Sequence, residues 1–235
     1  MMTNTPQEYH FKNKNKLALD NNALCAAIGM YGKIKTLAER RRLSLDDAFD
    51  CFSVDSEYLN ANLKHRPKLK MLFNNLKLAW KKELRLVITP TVRSEIFDKK
   101  IVFSQIKPNV FFHDFWVEHT SLDESQELID ELTHDLLSSH PVTYYRENGH
   151  TYTKKECPIE GNHNENHDHD ARIFAESIFI GSHLFTFDSD FDNREQIYAT
   201  VEEFEKKHPE TQGISKFKIL PEIQKFKYQD KTFER

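Results

Sequence analysis

Four carboxylates occupy positions from which they could hold a cation together. Asp20 ends a short apolar segment, Asp188 follows another, and Glu95 lies six residues past the end of a third. Asp170 stands at the start of a helical pattern. In an open parallel sheet the carboxyl ends of the strands form the crevice where ligands bind, so these acids are expected to converge there. Carboxylates that share a crevice repel one another, and a hard divalent cation relieves that repulsion.

Each of these acids, taken alone, also has a purely structural explanation. Asp170 can be a helix cap, Asp188 the first residue of a turn, and Glu95 a charge on a helix surface. The chemical interpretation therefore depends on the combination of the four acids and on a fold that brings them to one edge.

The apolar segments that precede the acids are short and end at polar clusters or proline, which is typical of strands. We predict strands at residues 16–19, 84–89, 110–117, 184–187 and 215–220. Helices are predicted from residue 23, after Ser44, Ser53 and Pro67, after Thr91 as an N-cap, and over residues 121–139, 170–180 and 194–208. This alternation predicts an α/β fold, a three-layer α/β/α sandwich with a mainly parallel central sheet.

Three separate segments of the chain resemble the motifs of PIN-domain nucleases. The segment DARIFAESIFIGSHLFTFDSDF, residues 170–191, is similar to the signature in which an acidic helix start is followed by small residues, a glycine, a strand and a Thr-x-Asp ending. Asp170 begins that segment, and Thr186 and Asp188 close it. LALDNNAL resembles the first-strand motif with Asp20, and VITPTVRSEIF resembles the second-strand segment with Glu95.

The resemblance implies a PIN-like fold and a metal-dependent phosphodiesterase that cleaves RNA, an endoribonuclease of toxin–antitoxin type or one with a related RNA-processing role. It implies Mg²⁺ or Mn²⁺ at a catalytic and metal-binding set formed by Asp20, Glu95, Asp170 and Asp188. The auxiliary residues are Asn22 at the polar position after the first acid, Thr186, whose hydroxyl would orient an oxygen, and Asp190, a further ligand or a turn residue. Asn21 stands where the family commonly has Thr or Ser.

Residues 141–168 interrupt the alternation and are predicted to form an insertion in a single domain of residues 1–235, with a polar tail at 221–235. Asn148-Gly149 between two β-rich segments predicts a type I′ hairpin. Candidate zinc ligands concentrate in this region and directly after it, namely His150, Cys157, His163, His167 and His169. Their spacing matches no common zinc motif, so a solvated loop is the simpler interpretation. Zinc binding, or one histidine that contacts RNA phosphate or assists proton transfer, stays open.

Charge is distributed unevenly along the chain. The net charge of −4 excludes a strongly basic nucleic-acid binder. Residues 64–100 nevertheless hold eleven Lys and Arg against three acids, whereas residues 114–140 hold eight acids and neither Lys nor Arg. Either block can be a solvated helix face. The functional interpretation is that Lys81, Lys82, Arg85 and Arg93 flank the RNA backbone. The acidic helix would then contact a basic, antitoxin-like inhibitory partner.

The remaining composition predicts a cytoplasmic protein. The three cysteines are too few and too dispersed for a disulfide scaffold, and no segment is apolar and long enough for a membrane helix. Two other functions are kept open. One is a catalytically idle PIN-like binding or scaffold module, and the other is a phosphatase of the doubly wound class. A phosphatase would need a second Asp where this chain has Asn22. The sequence leaves open whether the chain forms a homo-oligomer.

Overall fold

The computed structural model describes residues 15–58, 65–98, 107–138, 140–145, 151–159, 166–189 and 191–221. Over these residues the chain is an α/β protein in which a five-stranded, all-parallel sheet is flanked by helices. The predicted α/β class and parallel central sheet are therefore confirmed. None of the helices in the described ranges is long and apolar enough to cross a membrane.

The sheet places β1 in the middle. The strands are β1 (Lys16–Leu19), β2 (Arg85–Ile88), β3 (Glu118–His119), β4 (His140–Tyr145), β5 (Thr151–Glu156), β6 (His183–Phe185) and β7 (Ile219–Leu220). Their order in the large sheet is β3-β2-β1-β6-β7, and all four pairings are parallel. Leu17 pairs with Leu86 on one side, and Ala18 pairs with Leu184 on the other. Residues that follow β1, β2 and β6 therefore reach the same edge.

Helices surround this sheet in two packed groups. The α-helices in the described ranges are α1 (Asn21–Arg41), α2 (Leu45–Cys51), α3 (Val54–Glu57), α4 (Arg66–Trp80), α5 (Pro90–Asp98), α6 (Pro108–Asp114), α7 (Gln126–Leu137), α8 (Asn166–Phe179) and α9 (Arg194–Lys207). In one group α1 packs against α2, α4 and α6, and in the other α7 packs against α8 and α9. The helix α5 contacts both α1 and α8, so it connects the two groups.

The prediction of a strand at residues 110–117 is wrong. Most of this segment belongs to α6, and β3 begins only at Glu118. Pro108 suits the first turn of a helix, and Phe111 and Phe115 lie one turn apart with ring centroids 4.5 Å from each other. Both rings also pack on the buried Tyr31. Phe111, Phe112 and Phe115 thus form a buried aromatic face on α6 and at its carboxyl end.

Three further boundaries differ from the prediction. The helix α8 begins at Asn166, so Asp170 lies inside it and does not begin it. The helix α5 begins at Pro90, and the residue that caps it is Thr89, whose Oγ1 accepts the N–H of Val92 at 3.3 Å. The last predicted strand, 215–220, shortens to β7 because a 3₁₀ turn occupies Ile214–Lys216.

The region predicted as an insertion contains a separate two-stranded sheet. The strands β4 and β5 pair antiparallel, from His140 opposite Glu156 to Tyr145 opposite Thr151. The predicted turn at Asn148-Gly149 lies outside the described residues, as do the histidines His150 and His163 and the tail after Pro221.

Candidate active site at the carboxyl edge of the sheet

Asp20 directly follows the middle strand β1 and begins α1. Its backbone N–H donates to the carbonyl of Phe185 at 3.1 Å, which extends the pairing of β1 with β6. Its carboxylate accepts a hydrogen bond from the N–H of Ala23 at 2.5 Å and so caps α1. Only 4% of Asp20 is exposed. The backbone on both sides thus fixes this acid at the carboxyl edge of the sheet.

The three residues after β6 surround the carboxylate of Asp20. The hydroxyl of Thr186 and the N–H of Phe187 both donate to it. The Thr186 oxygen in turn accepts the N–H of Asp188 at 2.8 Å, and the side chain of Thr186 is buried. Thr186 therefore links Asp20 to Asp188, the first and the last acid of the predicted set.

The protein environment does not fully compensate the charge of Asp20. Burial raises the pKa of its carboxyl group from 3.8 to about 6, although hydrogen bonds from Thr186 and Ala23 act in the opposite direction. The negative charge of Asp188 raises this pKa further. A buried carboxylate beside a second acid favours either a proton or a cation. The arrangement therefore has the electrostatics of a cation site.

Glu95 contacts α1 and α8 from the second turn of α5. The Nδ2 atom of Asn21 donates to its Oε2, and the Nδ1 atom of His169 lies 2.7 Å from its Oε1. Glu95 itself is 9% exposed. The Oδ1 atom of Asn21 is buried and makes no hydrogen bond within the described part of the chain. Asn21 thus places an oxygen without a hydrogen-bond partner in the described ranges beside the second acid.

Glu176 positions the helix that carries Glu95, a role that the sequence analysis did not identify. It is buried in α8 and accepts hydrogen bonds from the N–H and the hydroxyl of Thr91, at 3.0 and 2.8 Å. Arg172, one turn earlier on α8, donates to the same carboxylate at 3.3 Å. Asp170 is half-buried two turns before Glu176. The helix α8 therefore carries Asp170 near its amino end, at the carboxyl edge of the sheet, and anchors α5 there.

The acids share one edge but form two subgroups. Asp20 and Asp188 lie together after β1 and β6, whereas Glu95 is bonded to His169 and Asn21. Within the described ranges, no three His, Cys, Asp or Glu side chains are close enough to hold a metal ion. Among the auxiliary residues Asn22 is exposed on α1, and Asp190 lies outside the described residues.

The predicted RNA-contacting cations are divided between two edges. Arg85 begins β2 and pairs with Glu118 at 2.7 Å, so it lies at the amino edge. Lys81 and Lys82 precede Arg85, and the Nζ atom of Lys82 lies 5.6 Å from the centre of the Trp116 ring. Arg93, by contrast, is exposed on α5 at the carboxyl edge. The structure thus separates Arg93 from the other three cations.

One cation that the sequence analysis missed lies beside Asp188. The Nζ atom of Lys68 on α4 donates to the carbonyl of Phe187 at 3.1 Å. The ring of His65, just before α4, makes an edge contact with the ring of Phe187 at 6.5 Å. Membership of the basic segment 64–100 was the only sequence signal for Lys68, because the contact joins residues that are 119 positions apart.

Two cavities open on this side of the molecule, one on each side of α5. A cavity of about 530 Å³ is lined by Glu95, His169 and Arg172, together with residues of α7. A second cavity of about 680 Å³ is lined by Arg93 and Phe97 of α5 and by residues that follow β2 and β3. Ser94 borders both cavities.

Comparison of the chain with protein-family models, with curated proteins and with solved structures found no match.

Proposed function

We propose that this protein is a Mg²⁺- or Mn²⁺-dependent phosphodiesterase that cleaves RNA. The observation that carries the proposal is Asp20, a buried acid at the end of the middle strand whose pKa is raised to about 6 beside Asp188. An acid in this state gains from a bound cation, and divalent cations with carboxylate ligands are common cofactors of phosphate-ester hydrolysis. The resemblance of three segments to PIN-domain nucleases supports the same chemistry and a PIN-like fold.

The residues at this edge fit a hard divalent cation by type. Asp20 and Asp188 would hold it from the strand ends, and Glu95 and Asp170 would approach from α5 and α8. The buried Oδ1 of Asn21 adds an oxygen beside Glu95. When bound, the cation would lower the pKa of a water molecule and stabilise charge on the leaving oxygen. Thr186 would keep Asp20 and Asp188 in register, because its oxygen already connects them.

RNA is the proposed substrate because of the resemblance and because cations lie at the same edge. Lys68 is held beside Asp188 through the carbonyl of Phe187, and Arg93 is exposed on α5. Phosphate oxygens are favourable partners for both side chains. The proposal therefore assigns Lys68 and Arg93 to the RNA backbone.

A non-catalytic binding module is the second candidate function, and one observation favours it. The carboxylates of Asp20 and Glu95 already accept hydrogen bonds from protein donors, and no three ligands converge within the described ranges. Metal binding would require Glu95 to exchange its contacts with Asn21 and His169 for the cation.

Cleavage of a labelled single-stranded RNA pool in Mg²⁺, Mn²⁺ or EDTA tests the proposal. We expect metal-dependent cleavage by the wild type and at least a hundredfold loss in Asp20→Asn and in Asp188→Asn. Glu203→Gln, which removes an exposed acid of α9, is the matched control and should cleave like the wild type. Full activity in both site variants would rule out this site. If the wild type cleaved RNA in neither metal, the non-catalytic binding module would be the better-supported function.

A further inference from the structure

The second cavity, beside Arg93, has no part in the acid site described above. It occupies the carboxyl edge next to β2 and β3, between α5 and the segment that leads into α7. Its volume of about 680 Å³ is ample for one nucleotide-sized group. Neighbouring strands of a sheet lie about 4.8 Å apart, so the groove begins about 5–10 Å along the edge from the end of β1.

An aromatic surface forms one wall of this groove. Phe97 is 46% exposed, which is a large exposed fraction for a phenylalanine on a packed helix. Its ring contacts the ring of Phe112 edge-on at 6.1 Å, and Phe112 contacts His119 at 5.6 Å. Phe112 is buried, so it supports the exposed ring from behind. Phe97 therefore presents a fixed aromatic surface to solvent.

A cation lies one helical turn from that surface. Arg93 and Phe97 are four residues apart on α5 and so project from the same side of the helix. Within the described ranges no carboxylate forms an ion pair with Arg93, whereas Asp123, an acid that lines the groove, accepts a hydrogen bond from the hydroxyl of Ser121 at 2.6 Å. Burial and the charge of Arg93 lower the pKa of His119, whose ring also lines the groove. The groove thus combines a guanidinium group with aromatic rings.

We propose that this groove binds one unpaired nucleotide of the RNA, next to the phosphodiester at the acid site, with its base on Phe97 and its phosphate at Arg93. This inference rests on the proposed function. Aromatic rings stack on bases of any sequence, and a guanidinium group pairs with phosphate oxygens. A base within a duplex already has both faces stacked, so only an unpaired nucleotide can use Phe97. Ser94, which borders both cavities, marks the path between the groove and Glu95.

Binding of a fluorescein-labelled hexauridylate in EDTA tests the groove without cleavage. Fluorescence anisotropy should show that Phe97→Leu, which keeps an apolar side chain but removes the ring, weakens binding about tenfold. Phe97→Tyr should restore it. Trp116→Leu is the matched control, because Trp116 is also 46% exposed and lies at the amino edge. Its affinity should stay within twofold of the wild type.

The contribution of Arg93 is measured by the salt dependence of the same binding. Arg93→Gln should weaken binding about fivefold and reduce the slope of log K against log salt by about 0.7, the value for one phosphate contact on a single strand. Lys206→Gln on α9 is the charge-matched control and should leave the slope unchanged. A duplex of the same length should bind equally well to the wild type and to Phe97→Leu.

Several outcomes would overturn the inference. These are no oligonucleotide binding by the wild type, equal affinity of Phe97→Leu and Trp116→Leu, or an unchanged salt slope in Arg93→Gln. A protein would then be the better candidate for the molecule that binds in the groove. The outcome is separate from that of the proposed function. Hexauridylate binding is measured in EDTA with variants of Phe97 and Arg93, whereas the proposed function is tested by cleavage with variants of Asp20 and Asp188, so either can fail alone.

Discussion

At the scale of single residues, the ionisation of Asp20 connects the site to the stability of the fold. Its carboxyl group has a pKa of about 6 in the folded chain and an ordinary value of 3.8. Between these two values the folded chain binds the proton more tightly than the unfolded chain does. The contribution of Asp20 to stability therefore rises as the pH falls through 6 towards 4, and the ionised group opposes folding above pH 6.

The variant Asp20→Asn should therefore stabilise the metal-free protein at pH 7.5. The difference between the two pKa values, 3.8 and about 6, corresponds to about 3 kcal/mol. Because Asn retains the capping function of Asp, we expect a gain of about 1–3 kcal/mol. Urea denaturation in EDTA at pH 5 and 7.5 measures the free energy of unfolding, and the gain should be smaller at pH 5 than at pH 7.5. Glu203→Gln should show neither effect. A less stable Asp20→Asn at pH 7.5 would contradict this assignment of the charge.

Other residue-scale features were beyond prediction from the sequence. The order and spacing of Asp20, Glu95 and Asp188 indicated a common edge, because the strand ends that carry them are visible as short apolar segments. The contact of His169 with Glu95 was not visible, since it joins residues that are 74 positions apart on two different helices. Such contacts are determined by tertiary packing. The sequence motif contains Glu95 but does not indicate that His169 is its partner.

At the scale of elements, the junction between α5 and α8 determines where Glu95 lies. The carboxylate of Glu176 accepts two hydrogen bonds from Thr91 in the first turn of α5. Backbone N–H groups in the first turn of a helix have no carbonyl partner within the helix. The buried carboxylate of Glu176 supplies such a partner for the N–H of Thr91. Glu176 therefore helps to set the register of α5 against α8, together with the contact of His169 with Glu95.

Glu176→Gln should weaken that junction while preserving its shape. Loss of the charged acceptor is expected to cost about 1–3 kcal/mol of unfolding free energy. Amides of α5 should exchange hydrogen faster, and metal-dependent cleavage should fall although Glu95 is unchanged. Hydrogen exchange followed by mass spectrometry measures the first effect. Glu202→Gln on α9 is the control. If α5 exchanged at the wild-type rate, the role assigned to Glu176 would be wrong.

Strands and helices were predicted correctly where a polar residue or a proline ends the apolar segment, and wrongly where no such residue marks the boundary. The strand β1 ends just before Asp20 and β2 ends two residues before Pro90, and the sequence predicted both strands, β2 with one extra residue at each end. The eight residues from 110 to 117, most of which belong to α6, are too few and too uniformly apolar to separate a period of 3.6 from a period of 2. The start of α8 was placed too late because its first turn is polar and carries no apolar stripe.

At the scale of the whole molecule, the acidic surface of α7 is largely used within the chain. Asp130 pairs with Arg172, Asp135 with Lys207, and Glu131 lies 3.0 Å from His208. Three acids remain exposed, namely Glu127 on α7 and Asp123 and Glu124 in the turn that precedes it. A basic inhibitory partner therefore stays a prediction, and these exposed acids are the ones that it would contact.

Co-expression with the neighbouring reading frame tests this prediction of a partner. If the chain is toxin-like, the second protein should copurify with it and suppress its RNA cleavage. The double variant Glu124→Lys, Glu127→Lys should release the partner, because two acidic charges that would contact its basic surface become positive. Purified protein that is active, harmless to its host and free of any copurifying chain would exclude an inhibitory partner.

The parallel pairing of β1 with β6 also determines when the site can exist during synthesis. Asp20 leaves the ribosome long before Thr186, Phe187 and Asp188, which complete its surroundings. At about 5–20 residues per second, the ribosome needs on the order of 10–30 s to synthesise the chain between them. A nascent chain therefore carries an incomplete acid cluster throughout this interval. The topology thus delays completion of the acid site until β6 and the residues that follow it have been synthesised.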